Sequence, residues 1–361
     1  MKVAIVHDFL LKLGGAERVV NSLSKIFPEA PIYTLLYDEE KVGKIFPKDK
    51  VITSSLQKYP KFIRNRYRYL LSKMPRAIEE LDFRNFDLVI SSSSAYSHGI
   101  ITSLDTRHIC YCHSPMRYAW DWTHEYREEN KIRGLKSLFV TPLLKKIRIW
   151  DQIAADRPDQ YIANSKYISN RIKKYFQQDS KVIYPPVEIE RFKASKNHSD
   201  YFLIVSTLTP YKKIDLAIQL FNKIGRKLVI IGEGSHRKQL ENISGPNIEF
   251  LGFVDDDTAK EYMENCRAFI FPGEEDFGIA PVEAMACGKP VLAFGKGGLL
   301  ETVIPGKTGE FFYDQNLNSM EDALARLLHN ESFYDYKSIR KHAEQFSEEQ
   351  FINNIKKLIG I

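Results

Sequence analysis

Short apolar runs that alternate with amphipathic stretches constrain this chain more than any other feature. Five lie in the first half: KVAIVHD (2–8), PIYTLLY (31–37), FDLVISSSS (86–94), RHICYCH (107–113) and DQYIANS (159–165). Five more follow: YFLIVS (201–206), KLVIIG (227–232), NIEFLG (247–252), RAFIFP (267–272) and KPVLAF (289–294). Each suits one buried strand, and the segments between them carry helical periodicity. Apolar strands separated by helices define a parallel sheet covered on both faces. The predicted class is therefore α/β, with two doubly wound domains.

The break between the domains is expected within VIYPPVEIERF (182–192), because Pro185-Pro186 can continue neither a helix nor a central strand. A chain of 361 residues suits two such domains. From 316 onward the pattern is helical to the end. Hydrophobic content of 43% and charged content of 27% are ordinary for a soluble protein. The four cysteines, Cys110, Cys112, Cys266 and Cys287, are too scattered for a disulfide framework, so a reducing cytosol is expected. The N-terminal stretch has no signal-peptide pattern, and no run of apolar residues is long enough to span a membrane. Charge is uneven: residues 1–185 hold 31 Lys and Arg against 20 Asp and Glu, and residues 186–361 hold 21 against 26. That asymmetry speaks to partners rather than fold.

Ligands of open parallel sheets bind beyond the carboxyl ends of the strands, and two such domains are expected to face across a cleft. The chemical candidates sit at those ends. Gly14-Gly15 precede a helix, where backbone N–H groups meet a phosphate or simply make a turn. His113 closes the fourth run and opens HSPMRYAWD, with Arg117 nearby. Lys212 and Lys213 follow the sixth run at a helix start, where two cations oppose the helix dipole unless an anion is bound. Asp255-x-Asp257 reads as a helix cap. In GEEDFGIAPVEAMACGKP (273–290), Glu275 and Glu283 bracket Phe277-Gly278-Ile279. That is an anion cradle between two carboxylates, or a capped helix with acidic residues.

These motifs together resemble retaining glycosyltransferases of family 4, which have the GT-B fold of two Rossmann-like domains. The most specific element is E-x7-E, here Glu275 to Glu283. GGAERV, CYCHSPMRYAWD, IANSKYI, YPPVEIERF, PYKKIDLAI and TGEFF support it. HSPMRYAWD and PYKKID are most similar to mannosyltransferases of bacterial surface polysaccharide (O-antigen) synthesis, which use GDP-mannose. The resemblance implies an acceptor-side domain over 1–186, a donor domain over 187–344, and a terminal helix, about 345–361, packed back on the first. It implies that Glu283 holds the donor ribose and Glu275 the sugar hydroxyls. The Phe277, Gly278 and Ile279 backbone would contact sugar and phosphate, and His113 would hydrogen-bond the sugar near its anomeric carbon. Gly15 would approach the diphosphate, with Gly252, Phe253 and Val254 by the base. It implies no metal and no cofactor beyond the nucleotide-sugar substrate.

One position departs from the family pattern. Thr207 stands where the family has a diphosphate-binding arginine, and a hydroxyl cannot supply bidentate charged bonds. Either Lys212 and Lys213 carry the clamp, another arginine reaches in, or the protein is slow or inactive. The alternative functions are a same-fold transferase using a UDP- or ADP-sugar, or a weakly active or inactive donor-binding subunit. A further stretch, LQKYPKFIRNRYRYLLSKMPRAI (56–78), holds seven Lys and Arg and no acid. With Arg64, Arg66, Arg68 and Lys73 among its aromatics, it reads as an anionic-membrane or acceptor patch. No nucleic-acid motif accompanies it. A peripheral protein on the inner face of the cell membrane is the expectation, with a saccharide acceptor that includes the polyprenyl-pyrophosphate-linked class.

Overall fold

The computed structural model describes residues 1–123, 127 and 132–361. The chain divides into two units, one of Met1–Tyr184 with Ile352–Ile361 and one of Pro185–Phe351.

The first unit is built on seven strands: β1 (Val3–Leu10), β2 (Ile32–Tyr37), β3 (Val51–Thr53), β4 (Leu88–Ser93), β5 (Arg107–Cys112), β6 (Gln160–Ala163) and β7 (Ser180–Val182). They pair in the order β3-β2-β1-β4-β5-β6-β7, and every pairing is parallel. Around them lie α1 (Gly15–Ile26), α2 (Met74–Glu79), α3 (Leu135–Ala154) and α4 (Lys166–Phe176), with shorter turns of helix. Ser165 caps α4 by accepting from the Ile168 N–H. One apolar cluster joins Val6, Val89 and Leu35 of the strands to Leu70, Met74 and Ile78, and to Ile147 on α3.

The second unit has six strands: β8 (Phe202–Val205), β9 (Leu228–Ile231), β10 (Ile248–Gly252), β11 (Ala268–Phe271), β12 (Val291–Phe294) and β13 (Gly309–Phe312). Their order is β10-β9-β8-β11-β12-β13, again parallel throughout. Its longer helices are α5 (Ile214–Ile224), α6 (Arg237–Asn242), α7 (Asp256–Asn265), α8 (Ile279–Ala286), α9 (Leu317–His329) and α10 (Tyr336–Ala343), followed by α11 (Glu348–Ile359), whose last residues belong to the first unit. Asp255 caps α7, its carboxylate 2.8 Å from the Thr258 N–H, as its place before a helix predicted.

All ten runs read from the sequence are strands. Of the other three, β3 and β7 are three residues long, too short to show a period, and β13 follows a turn rather than a helix. Among the described residues no helix is long and apolar enough to cross a membrane. In each sheet the strand order reverses direction at one place, between β1 and β4 and between β8 and β11. A doubly wound sheet opens a crevice there at its carboxyl edge.

Candidate functional site

In the second unit, the β8 and β11 ends bring Lys212 and Glu275 together. β8 gives way to a short 3-10 turn, Pro210–Lys212, and the chain then reverses at Lys213. Lys213 has φ of 52°, the left-handed region, and its side chain is exposed. Lys212 is buried and forms an ion pair with the Glu275 carboxylate. Its ammonium also lies 5.0 Å from the Tyr211 ring centroid and 5.4 Å from that of Phe271. Lys212 thus turns to the E-x7-E loop, while Lys213 stays exposed beside it. A side chain at Gly273 would strike the Lys212 backbone, its Cβ only 2.9 Å from the Lys212 Cα and O, which shows how closely the two loops approach.

The E-x7-E loop is braced from below. The Gly298 N–H donates to the Glu275 carbonyl at 2.8 Å, and Lys296 pairs with Glu274 at 3.0 Å. Phe277 is buried edge-on against Phe346, ring centroids 5.4 Å apart. Gly278 then caps α8 at φ of 91°, a conformation glycine adopts without strain. Ile279 opens the helix, with Pro281 in its first turn, where a missing N–H costs nothing. Glu283 lies one turn in and is buried. The turn between the glutamates therefore does end at a helix N-terminus, where the dipole favours an anion.

Beside β8, the ends of β9 and β10 place Gly252, Phe253 and Val254. Gly252 has φ of 72° and its carbonyl accepts from Gly232 at 2.8 Å. Phe253 follows, 86% exposed, an open aromatic face at a strand end. A Cβ at Gly252 would come within 2.8 Å of Glu233 and 2.9 Å of Arg237, which are themselves an ion pair. Thr207 is exposed just past β8.

The first unit has its own cluster at the β1 and β4 ends. Pairing of β1 with β4 sets His7 opposite Ser92. His113 follows β5, its N–H donating to the Ser93 carbonyl at 2.7 Å. The His113 Nε2 lies 2.8 Å from Ser92 Oγ, and His7 Nδ1 lies 2.9 Å from the Ser92 carbonyl. Glu17, in the first turn of α1, is 3.7 Å from His7 Nε2. Burial alone would lower the His7 pKa, but the Glu17 carboxylate facing it, with Asp8 and the Ser92 carbonyl, outweighs that and raises it. His113 goes the other way: burial, then repulsion from His7, bring it down to about 3. Gly15 is the first residue of α1, and a Cβ on Gly14 would lie 2.9 Å from the Glu17 carboxylate.

Asp8 holds this edge together. Its carboxylate accepts four backbone N–H groups, from Ser94, Ala95, Tyr96 and Ser97, at 2.6 to 2.9 Å. The sequence reading missed His7, Asp8, Glu17 and Ser92. One signal was available: four serines in a row, 91–94, at the end of a strand that is otherwise apolar, imply buried hydroxyls with partners.

The loop after His113 is strapped to the helices behind it. Trp120 Nε1 donates to Asp151 of α3 at 2.6 Å, and Arg171 of α4 pairs with Asp121 at 2.6 Å. Arg117 is half-buried over the Trp122 ring, 5.1 Å from its centroid. In the basic segment, Arg66, Arg68 and Lys73 are exposed, with Phe62 at 67% and Tyr69 at 77%. Arg64 is turned inward, its guanidinium 3.4 Å from the Tyr37 carbonyl.

A doubly wound parallel sheet in each unit, with a lysine–carboxylate pair beside a helix N-terminus in the second, matches the GT-B architecture of glycosyltransferases. Two family models match the chain: Glycosyltransferase Family 4 over residues 13–191 and Glycosyl transferases group 1 over 187–350. The chain belongs to the glycosyltransferases, with a family 4 domain followed by a group 1 domain. It is 27% identical over 355 residues to an uncharacterized glycosyltransferase of Methanocaldococcus jannaschii, covering 96% of this chain and 93% of that protein. It is 22% identical over 426 residues to the alpha-1,3/1,6-mannosyltransferase ALG2 of Dictyostelium discoideum, covering 99% and 98%. Among solved structures, Anabaena HepE in complex with UDP-glucose aligns at a TM-score of 0.73 and 17% identity, covering 100% of both chains. Sucrose-phosphate synthase from Thermosynechococcus elongatus aligns at 0.72 and 16%, covering 99% and 98%. At such identities the structural likeness speaks for the fold.

Proposed function

We propose that this glycosyltransferase moves a hexose, mannose from GDP-mannose, onto a lipid-linked or oligosaccharide acceptor in surface polysaccharide synthesis, with retention of configuration. The observation that carries this reading is the Lys212–Glu275 pair at the β8/β11 crevice. A carboxylate there accepts hydrogen bonds from sugar hydroxyls, and the ammonium beside it meets the diphosphate. Similarity to ALG2 mannosyltransferases supports the choice of sugar. In this reading Glu283 holds the ribose, and the exposed Phe253 ring offers the base a stacking face. His113 and Gly15, on the first unit, are proposed to meet the donor sugar and diphosphate, as the family resemblance implies.

The reaction breaks the bond from the anomeric carbon to the phosphate oxygen, whose electron pair leaves with the diphosphate. The acceptor hydroxyl attacks the same face, and its proton passes to the departing phosphate oxygen. Positive charge on Lys212 and the α8 N-terminus stabilises the negative charge that develops on the leaving group. No protein nucleophile and no metal takes part. Thermal unfolding with GDP, UDP, ADP and their sugar conjugates tests the donor. GDP and GDP-mannose are expected to stabilise the chain most, by about 2.7 kcal/mol at a hundred times the dissociation constant. Stabilisation by UDP alone would reject GDP-mannose.

The acceptor is proposed to lie at an anionic membrane. Besides Phe62, Tyr69, Arg66, Arg68 and Lys73, the outer face of α3 exposes Leu138 at 68% and Phe139 at 77%, with Lys136, Lys145 and Lys146. Leu143, Ile147 and Trp150 of α3 pack into the same apolar cluster as Ile63, Tyr67 and Leu70, so the two elements are neighbours. Aromatic and aliphatic groups among lysines suit a headgroup surface. The protein is expected to float with vesicles containing anionic lipid at low salt, and less as salt rises. Failure to float at low salt ends the membrane reading.

A further inference from the structure

We infer that Ser92 is a positioning residue that fixes His113 as the imidazole protonated on Nδ1, with His7 and Glu17 beneath it deciding which way the serine hydroxyl points. This deepens the reading above, in which His113 contacts the donor sugar.

The inference follows from counting protons. A carbonyl only accepts, and His7 Nδ1 lies 2.9 Å from the Ser92 carbonyl, so that nitrogen carries a hydrogen. The Ser92 carbonyl also accepts from Ser97 Oγ at 2.9 Å. The same His7 Nδ1 lies 3.2 Å from Ser92 Oγ, so the hydroxyl faces a donor on that side. Its own single proton must go elsewhere, and its other partner is His113 Nε2 at 2.8 Å. Ser92 therefore donates, and His113 Nε2 accepts. A neutral imidazole whose Nε2 accepts carries its proton on Nδ1.

The surroundings keep this arrangement in one state. Glu17 on α1 faces the far nitrogen of His7 at 3.7 Å and favours its protonated form. Asp8, next on β1, adds to that charge, while its carboxylate is engaged by the backbone of residues 94–97. From β5, Tyr111 stands edge-on to His113 with ring centroids 5.2 Å apart, and Cys112 is buried beside it. His7 meets His113 in a T-shaped contact at 6.4 Å, and burial, then repulsion from protonated His7, disfavours a second proton on His113. The result is a neutral donor. His113 can hold a sugar or phosphate oxygen through Nδ1–H without surrendering a proton to it, and Nε2 is unavailable as a base.

The test is a long-range proton–nitrogen NMR spectrum of the full chain labelled at histidine, between pH 5.5 and 8, without any sugar donor. His113 is expected to show a pyrrole-type Nδ1 and a pyridine-type Nε2 across the range. A pyrrole-type Nε2, or an imidazolium titrating in that range, overturns the inference. Ser92→Ala is expected to move the proton to Nε2, and Ser92→Thr, which keeps the hydroxyl, to restore it. Glu17→Gln is expected to raise the His113 pKa, because the His7 pKa then falls and its repulsion of a second proton on His113 weakens. In transfer assays Ser92→Ala is expected to lower kcat on the order of tenfold with little change in KM. If Nδ1 carries the proton and kcat does not move, the inference stands and the sugar-contact reading of His113 falls.

Discussion

Replacing Lys212 by alanine lowers kcat for sugar transfer on the order of 10²–10³-fold, the usual cost of removing one preorganised donor from a site where charge develops. Two effects add. On the proposed reading the leaving diphosphate loses the Lys212 charge, and the Glu275 carboxylate, three-quarters covered, loses its counter-charge. Lys212→Arg keeps the charge but presents a planar fork where a compact ammonium sits between Tyr211 and Phe271, so only part of the activity returns. The unfolding temperature is the control, since a folded but inactive protein assigns the loss to chemistry. Retention of most activity by Lys212→Ala refutes the clamp. Thr207→Arg is the complementary change. Position 207 is exposed, so a longer side chain meets no packing obstacle. A guanidinium beside the β8 end is expected to raise kcat at least about tenfold by supplying the charged donor that threonine lacks. A variant no faster than the parent means that Lys212 alone completes the site.

The largest effect on stability is expected at Asp8. Its carboxylate is buried and satisfies four consecutive backbone N–H groups of the turn after β4. Alanine leaves those donors without an acceptor in a space closed to water, a loss of about 3–5 kcal/mol. Asparagine keeps one accepting oxygen and is expected to lose about half as much. Urea unfolding at constant slope measures the difference. A change under about 1 kcal/mol shows that the turn relaxes to other partners. The same substitution loosens Ser92 through Ser97, so activity is expected to fall further than stability alone explains.

The second crevice was legible in the sequence because its chemistry is local. Glu275, Gly278 and Glu283 lie within nine residues, and the glycine turn announces the helix that follows. What the sequence hid is the pairing across distance. Lys212 and Glu275 lie in different loops, and only the strand order of the sheet brings them together. In the first unit the reverse holds. His113 stood out as a histidine at a strand end, while His7, Ser92 and Glu17 looked like ordinary residues of two strands and a helix. Their roles depend on register, which sets His7 opposite Ser92, and a single chain carries no direct record of register. Arg64 shows the same gap on the surface: its place in a basic run suggested exposure, but the fold turns it toward Tyr37.

The assignment of Ile352–Ile361 to the first unit makes that unit discontinuous along the chain. During synthesis the seven-stranded sheet emerges first, yet its last ten residues arrive only after all of Pro185–Phe351 has been made. The second unit is thus the one that can be finished in a single pass. The first must wait until Ile352–Ile361 has been made. Order of completion therefore runs opposite to order of emergence, and the interval between them is set by the speed of the ribosome rather than by the sheet.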